Sequence, residues 1–108
     1  MNSDIWNDVV RLISEETFKF SAHALDELIA DGILIGDIVA GVTEAQVVEE
    51  YPEYCNVPCV LVLHTDSEGG PIHALWGIPR GATSPAVLIT AYRPDPGKWT
   101  EDFSRRMT

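Results

Sequence analysis

Ile72-His73-Ala74-Leu75-Trp76-Gly77-Ile78 alternates: Ile72, Ala74, Trp76 and Ile78 fall on one side, and His73, Leu75 and Gly77 on the other. A period of two in a mostly apolar run describes a strand with two different faces. Three more short runs rich in Val, Leu, Ile and aromatics share this character: Gln46 to Tyr51, Cys59 to His64 and Ala86 to Tyr92. Asp66-Ser67-Glu68-Gly69-Gly70 has turn chemistry and closes a hairpin between the second and third runs. Pro79 to Pro85 is a longer Gly-, Pro- and Ser-containing loop before the fourth. A parallel pair needs a crossover of a dozen or more residues, so these connections predict a four-stranded antiparallel meander. In the fourth strand Val87, Ile89 and Ala91 oppose Leu88, Thr90 and Tyr92. With Ile72 and Ile89 turned toward helices, His73, Thr90 and Tyr92 become neighbours on the opposite face, an assignment that a one-residue slip would reverse.

Upstream the period is helical. Ser3 is a good N-cap for a helix in which Trp6, Val9, Val10 and Ile13 recur on one side, ending near Glu16. Ser21 caps a second helix whose buried stripe is expected to hold Ala24, Leu25, Leu28 and Ile29, with Gly32 as the left-handed stop. His23 then lies in its first turn, where exposed backbone amides suit an anion. A third, short helix covers Ile35 to Gly41 without a clear cap. Downstream of the strands, Asp95-Pro96 reads as an N-cap followed by a first-turn proline, which predicts a last short helix over Lys98 to Arg106. The fold expected is α+β, with N-terminal helices packed on one face of a four-stranded antiparallel sheet.

At 108 residues the chain is one domain, 1–108, with a single modest core. An apolar fraction of 45% with a net charge of −10 describes a folded, acidic protein. No apolar run approaches the roughly 20 residues of a membrane helix, and Met1-Asn2-Ser3-Asp4 lacks the basic start of a secretory signal, so no membrane association and a cytoplasmic location are expected. Cys55 and Cys59 are the only thiols, too few for a four-cysteine zinc site, and neither a metal nor another cofactor is expected. Charge is uneven: residues 1 to 70 carry 14 acids against Arg11 and Lys19, whereas residues 71 to 108 carry 3 acids against five bases. An anionic ligand would find its cations in the C-terminal third, and a basic partner its match in the rest.

Two imidazoles, a phenol and a guanidinium exchange protons and hold anions near neutral pH. His73, His23, Tyr92 and Thr90 are therefore the candidate catalytic groups for metal-free phosphodiester chemistry. Arg93, Arg105, Arg80 and Lys98 are the candidate phosphate ligands, and Trp99 is the candidate base-stacking residue. Each has a plainer role open to it: His23 as a helix-start residue, Thr90 and Tyr92 as packing partners, Arg93 as a mate for Asp95, and Trp99 as a core anchor.

At His23-Ala24, Gly32-Ile33, Tyr51-Pro52, Pro71-Ile72-His73, Thr90-Ala91-Tyr92-Arg93-Pro94-Asp95 and Trp99 the chain resembles the domain-of-unknown-function 4258 family, over about Phe20 to Arg106. That family is similar in outline to the RelE-like and barnase-like ribonuclease toxins. The resemblance implies a RelE-like sheet whose open face binds RNA, and the toxin half of a bacterial toxin-antitoxin pair. The activity implied is that of an mRNA interferase-like endoribonuclease that cleaves by 2'-hydroxyl attack. Its partners would be RNA, an antitoxin or other protein chain, or a second copy in a homodimer. The chain departs from the pattern where Asp31 replaces an arginine, and in its acidity. A non-catalytic module that binds a basic partner through its acidic surface is the alternative.

Overall fold

The computed structural model describes residues 3–53 and 57–107. Cys55 lies outside them; Cys59 is a buried free thiol. In chain order the elements are α1 (Asp4–Ser14), β1 (Phe18–Phe20), α2 (Ala22–Ala30), α3 (Ile35–Ala40), β2 (Gln46–Tyr51), β3 (Cys59–Thr65), β4 (Pro71–Gly77) and β5 (Ala86–Tyr92), with a short 3₁₀ turn at Val42–Glu44 between α3 and β2.

Both expected caps form. Ser3 Oγ accepts from the Trp6 amide at 3.1 Å and Ser21 Oγ from the Ala24 amide at 3.0 Å, each occupying an amide that the helix start leaves without a partner. Gly32, at φ 64°, ends α2. The Ile33 amide reaches the Leu28 carbonyl and the Gly32 amide the Ile29 carbonyl, the paired bonds of a Schellman turn. Leu28 and Ile33 are both buried in the core, which holds the turn from below.

The sheet has five strands in the order β1-β5-β4-β3-β2, and it is mixed. β2 to β5 form the expected antiparallel meander. The correction is β1: three residues pair in parallel with β5, Phe18 opposite Ala86 and Phe20 opposite Leu88. Helices α2 and α3 carry the chain from this edge to β2 on the other, which makes the parallel pairing compatible with short local connections.

One side of the sheet packs under the helices, around Trp76, Ile72, Leu88, Ile38 and Val9. Full burial of an aromatic such as Trp76 is worth roughly 2–3 kcal/mol against exposure. On β5 the expected alternation is corrected. Leu75 pairs with Thr90 but Trp76 with Leu88, so Ile89 is the extra residue of a bulge. Leu88 consequently faces the helices, whereas Thr90 and Tyr92 keep the opposite face expected of them. α2 brings a second correction: Ala24 and Leu28 are buried, but Leu25 and Ile29 are exposed.

The predicted helix over Lys98 to Arg106 does not form. Trp99 and Arg106 instead make an isolated antiparallel bridge, and the turn between them is held by Asp102 Oδ1, which accepts from Thr100 Oγ1, Ser104 Oγ and the Ser104 amide. Such side-chain bonds offer a backbone an alternative to helix. They also hold the Asp102 carboxyl at about 2, the Ser104 hydroxyl most strongly. The segment lies across the sheet face opposite the helices, where Trp99 and Phe103 pack with Val48, Leu61, Leu63 and Leu75.

Candidate functional site

His73 stands in mid-strand on β4, on the face opposite the helices, paired with Leu63 on one side and Tyr92 on the other. It is fully buried. Its Nε2 is 2.9 Å from the Phe103 carbonyl, which only accepts, so the proton sits on Nε2 and Nδ1 receives the Tyr92 hydroxyl at 3.3 Å. The Trp99 ring stands edge-on to the imidazole with centroids 4.3 Å apart. Burial pushes the His73 pKa down, the Phe103 carbonyl opposes it, and the nearby Arg106 charge lowers it further. This imidazole is neutral at pH 7. Burial likewise raises the Tyr92 phenol.

Three residues that sequence reasoning did not place in the site join this face. Glu49 and Tyr51 are two apart on β2 and so point the same way. The Tyr51 hydroxyl donates to Glu49, and Arg106 Nε donates to the other Glu49 oxygen at 2.9 Å. The Arg106 guanidinium also lies 4.7 Å over the Trp99 ring. Arg106 is held charged by its bonds to Tyr51 and Glu49. Burial and the Glu49 bond raise the Tyr51 phenol. The sequence signal available was the Glu49-x-Tyr51 alternation on a strand; its pairing with Arg106, 57 positions away, was not readable.

The expected set therefore divides. His73, Tyr92, Thr90 and Trp99 share one face. Thr90 sits opposite Leu75 and does not orient the imidazole, since both ring nitrogens are engaged by Tyr92 and Phe103. Trp99 is 4% exposed and anchors the C-terminal segment, a position closed to a stacking base. His23 is separated from His73: it is exposed on α2, whose Ala24 and Leu28 pack on the other side of the sheet. No shared proton transfer between the two imidazoles follows from that placement.

Among the proposed phosphate ligands, Arg93 is engaged elsewhere. Its Nη1 lies 2.8 Å from Asp66 Oδ2 and 3.2 Å from the Pro71 carbonyl, and its amide donates to Asp31 Oδ2 at 2.9 Å. It pairs with Asp66, not Asp95. Asp31 thus acts as a clamp between α2 and the end of β5, at the position where the family pattern has an arginine. The Asp66 carboxyl is held down by the Gly70 and Glu68 amides, with Arg93 adding to them. Arg80 reaches the Pro52 carbonyl at 3.4 Å, away from His73, and Lys98 and Arg105 are exposed. No common cationic pocket is built from these four residues.

A second histidine in the strands, His64, faces the helices and lies edge-on to Trp6. It is 2% exposed and neither ring nitrogen has a hydrogen-bond partner among the described residues. Burial takes its pKa down to about 4, against a smaller upward pull from the Gly41 backbone. Among the described residues no three His, Cys, Asp or Glu side chains are grouped to hold a metal ion, and no helix is long and apolar enough to cross a membrane.

A family model described as a domain of unknown function (DUF4258) matches residues 20–93. The matched stretch runs from the end of β1 through β5, and leaves α1 and the segment over His73 outside it. No curated protein and no solved structure matches the chain.

Proposed function

The chain belongs to the DUF4258 family, and from that premise we propose that it works as an acidic protein-interaction module that binds a basic partner chain. One observation carries the reading: two of the chain's seven Lys and Arg residues are already matched by its own carboxylates, Arg93 by Asp66 and Arg106 by Glu49. What remains outward is the surplus that makes the net charge −10, and it repels a polyanion while attracting a polycation. In a toxin-antitoxin pair, which the family resemblance implies, the basic chain is the antitoxin. The test is isolation of the chain from its own cells at low salt, without cross-linking. The reading expects a stoichiometric polypeptide of positive net charge, released as salt rises. Recovery of RNA in place of such a polypeptide overturns it.

A second reading is favoured by the grouping of Glu49, Tyr51, His73, Tyr92 and Arg106 on one sheet face. In it the protein is a metal-independent endoribonuclease toxin of RelE-like architecture in a closed state. Once the segment over His73 lifts, the Glu49 carboxylate takes the ribose 2'-hydroxyl proton and the 2'-oxygen attacks phosphorus. Water admitted by that movement adds a second proton to the His73 imidazole, and the imidazolium then passes its Nε2 proton to the leaving 5'-oxygen; Arg106 faces the charge that builds on phosphorus, help often worth roughly 3 kcal/mol per donor. RNA incubated with the purified chain in EDTA tests it: cleavage lost in both Glu49→Gln and His73→Gln supports this reading, and intact RNA with the wild-type chain rejects it.

A further inference from the structure

Leu25, Ile29, Leu34 and Ile35 are large apolar side chains left in solvent on α2 and the turn into α3; Ile29 is 81% and Leu34 68% exposed. Isolated exposed leucines are ordinary, but four from one short stretch form a group. Leu25 and Ile29 are four apart on α2 and stack on one side of it. Gly32 and the Schellman bonds to Ile29 and Leu28 then turn the chain directly into Leu34. The core beneath is already filled by Ala24, Leu28 and Ile33, so the group has no seat within its own fold.

Its surroundings are anionic. Asp26 and Glu27 lie on the same helix, and beyond Leu34 an open groove of about 200 Å³ runs between Asp37 and the β3–β4 turn, with Asp66 and Glu68 on its far wall. Arg93 is the one cation lining that groove, and Asp66 holds it. An anionic lipid surface is repelled by such a rim. A chain with apolar residues at helical spacing and lysine or arginine beside them is matched in both respects.

Resting on the acidic-module reading above, we infer that the exposed side of α2 with the adjoining groove is the docking surface, and that its occupant is a basic amphipathic helix of a partner protein. The apolar side of that helix covers Leu25, Ile29 and Leu34, and its cations enter the groove at Asp37 and Glu68.

The probe is a synthetic peptide about four turns long, leucine on one face and lysine elsewhere, compared with a scrambled peptide of the same composition and with poly-lysine. Wild-type chain should bind the amphipathic peptide at least about tenfold tighter than the scrambled one. Ile29→Asp and Leu34→Asp should abolish that preference while leaving poly-lysine binding and the thermal midpoint unchanged; Ile29→Gln, a milder change, should reduce it. A preference that survives both aspartates overturns the surface but leaves the acidic-module reading standing. No binding of either basic probe at low salt removes both. Sedimentation as a dimer that Ile29→Asp dissociates also overturns the inference, because the occupant is then a second copy of the chain.

Discussion

The Phe103 carbonyl stands 2.9 Å from His73 Nε2, so a residue beyond the last strand supplies a hydrogen-bond partner for a side chain in the middle of the sheet. Replacing His73 by alanine empties a buried ring site and leaves both this carbonyl and the Tyr92 hydroxyl without their mate. The expected loss is about 2–4 kcal/mol in urea denaturation. A loss of only a few tenths would mean that the imidazole is open to water and the C-terminal segment loosely held.

His64 sets a pH dependence. Its folded pKa of about 4 lies below the 6.5 of an unfolded histidine, so the unfolded chain binds the proton first. Stability from this group is full above pH 6.5 and declines as pH falls to 4, by about 3 kcal/mol in total. Urea midpoints measured at pH 7.5 and pH 5 should therefore differ, and His64→Leu should flatten the part of the slope that belongs to this site. An equal slope in that variant would assign the dependence elsewhere. His73, lowered in the same direction, adds to it.

Gly77 is required by space rather than by backbone conformation. A Cβ there would collide with Val57 Cγ1 and lie 3.0 Å from the Pro58 carbonyl and 3.1 Å from Ile89 Cδ1. Gly77→Ala should cost about 1–3 kcal/mol by overpacking, read from the thermal midpoint. A neutral result would show that the loop carrying Val57 and Pro58 yields without strain.

Asp31→Ala removes the acceptor for the Arg93 amide and should destabilise the chain by about 1–3 kcal/mol. Arg93→Ala should leave retention on immobilised RNA unchanged, because that guanidinium is committed to Asp66 and the Pro71 carbonyl. Weaker retention in Arg93→Ala would restore this residue as a phosphate ligand.

Elements written in local chemistry were legible beforehand. Ser3 and Ser21 with the apolar rows behind them announce α1 and α2, Gly32 announces a stop, and the Asp66 to Gly70 turn joins two alternating strands. What escaped depends on residues distant in sequence. Phe18-Lys19-Phe20 is too short to show a period, and it becomes a strand only by lying beside Ala86 to Leu88. Ile89 gives no sign that it will bulge, and that single extra residue exchanges Leu88 for Ile89 on the helix side. Asp95-Pro96 suggested a helix, but Asp102 gathers Thr100 and Ser104 into a turn and Trp99 is drawn to His73. On the site, strand alternation placed His73 and Tyr92 as neighbours on one face, whereas the Glu49 to Arg106 and Arg93 to Asp66 ion pairs join positions 57 and 27 apart.

The covering of the second sheet face by Trp99 and Phe103 has a consequence for biosynthesis. On a ribosome every strand emerges before Trp99 and Phe103, which shelter Leu61, Leu63 and Leu75, so the nascent chain shows that greasy side until those two residues have left the exit tunnel. A stall before that point leaves a complete sheet with one apolar flank bare, the kind of surface through which partly made chains clump.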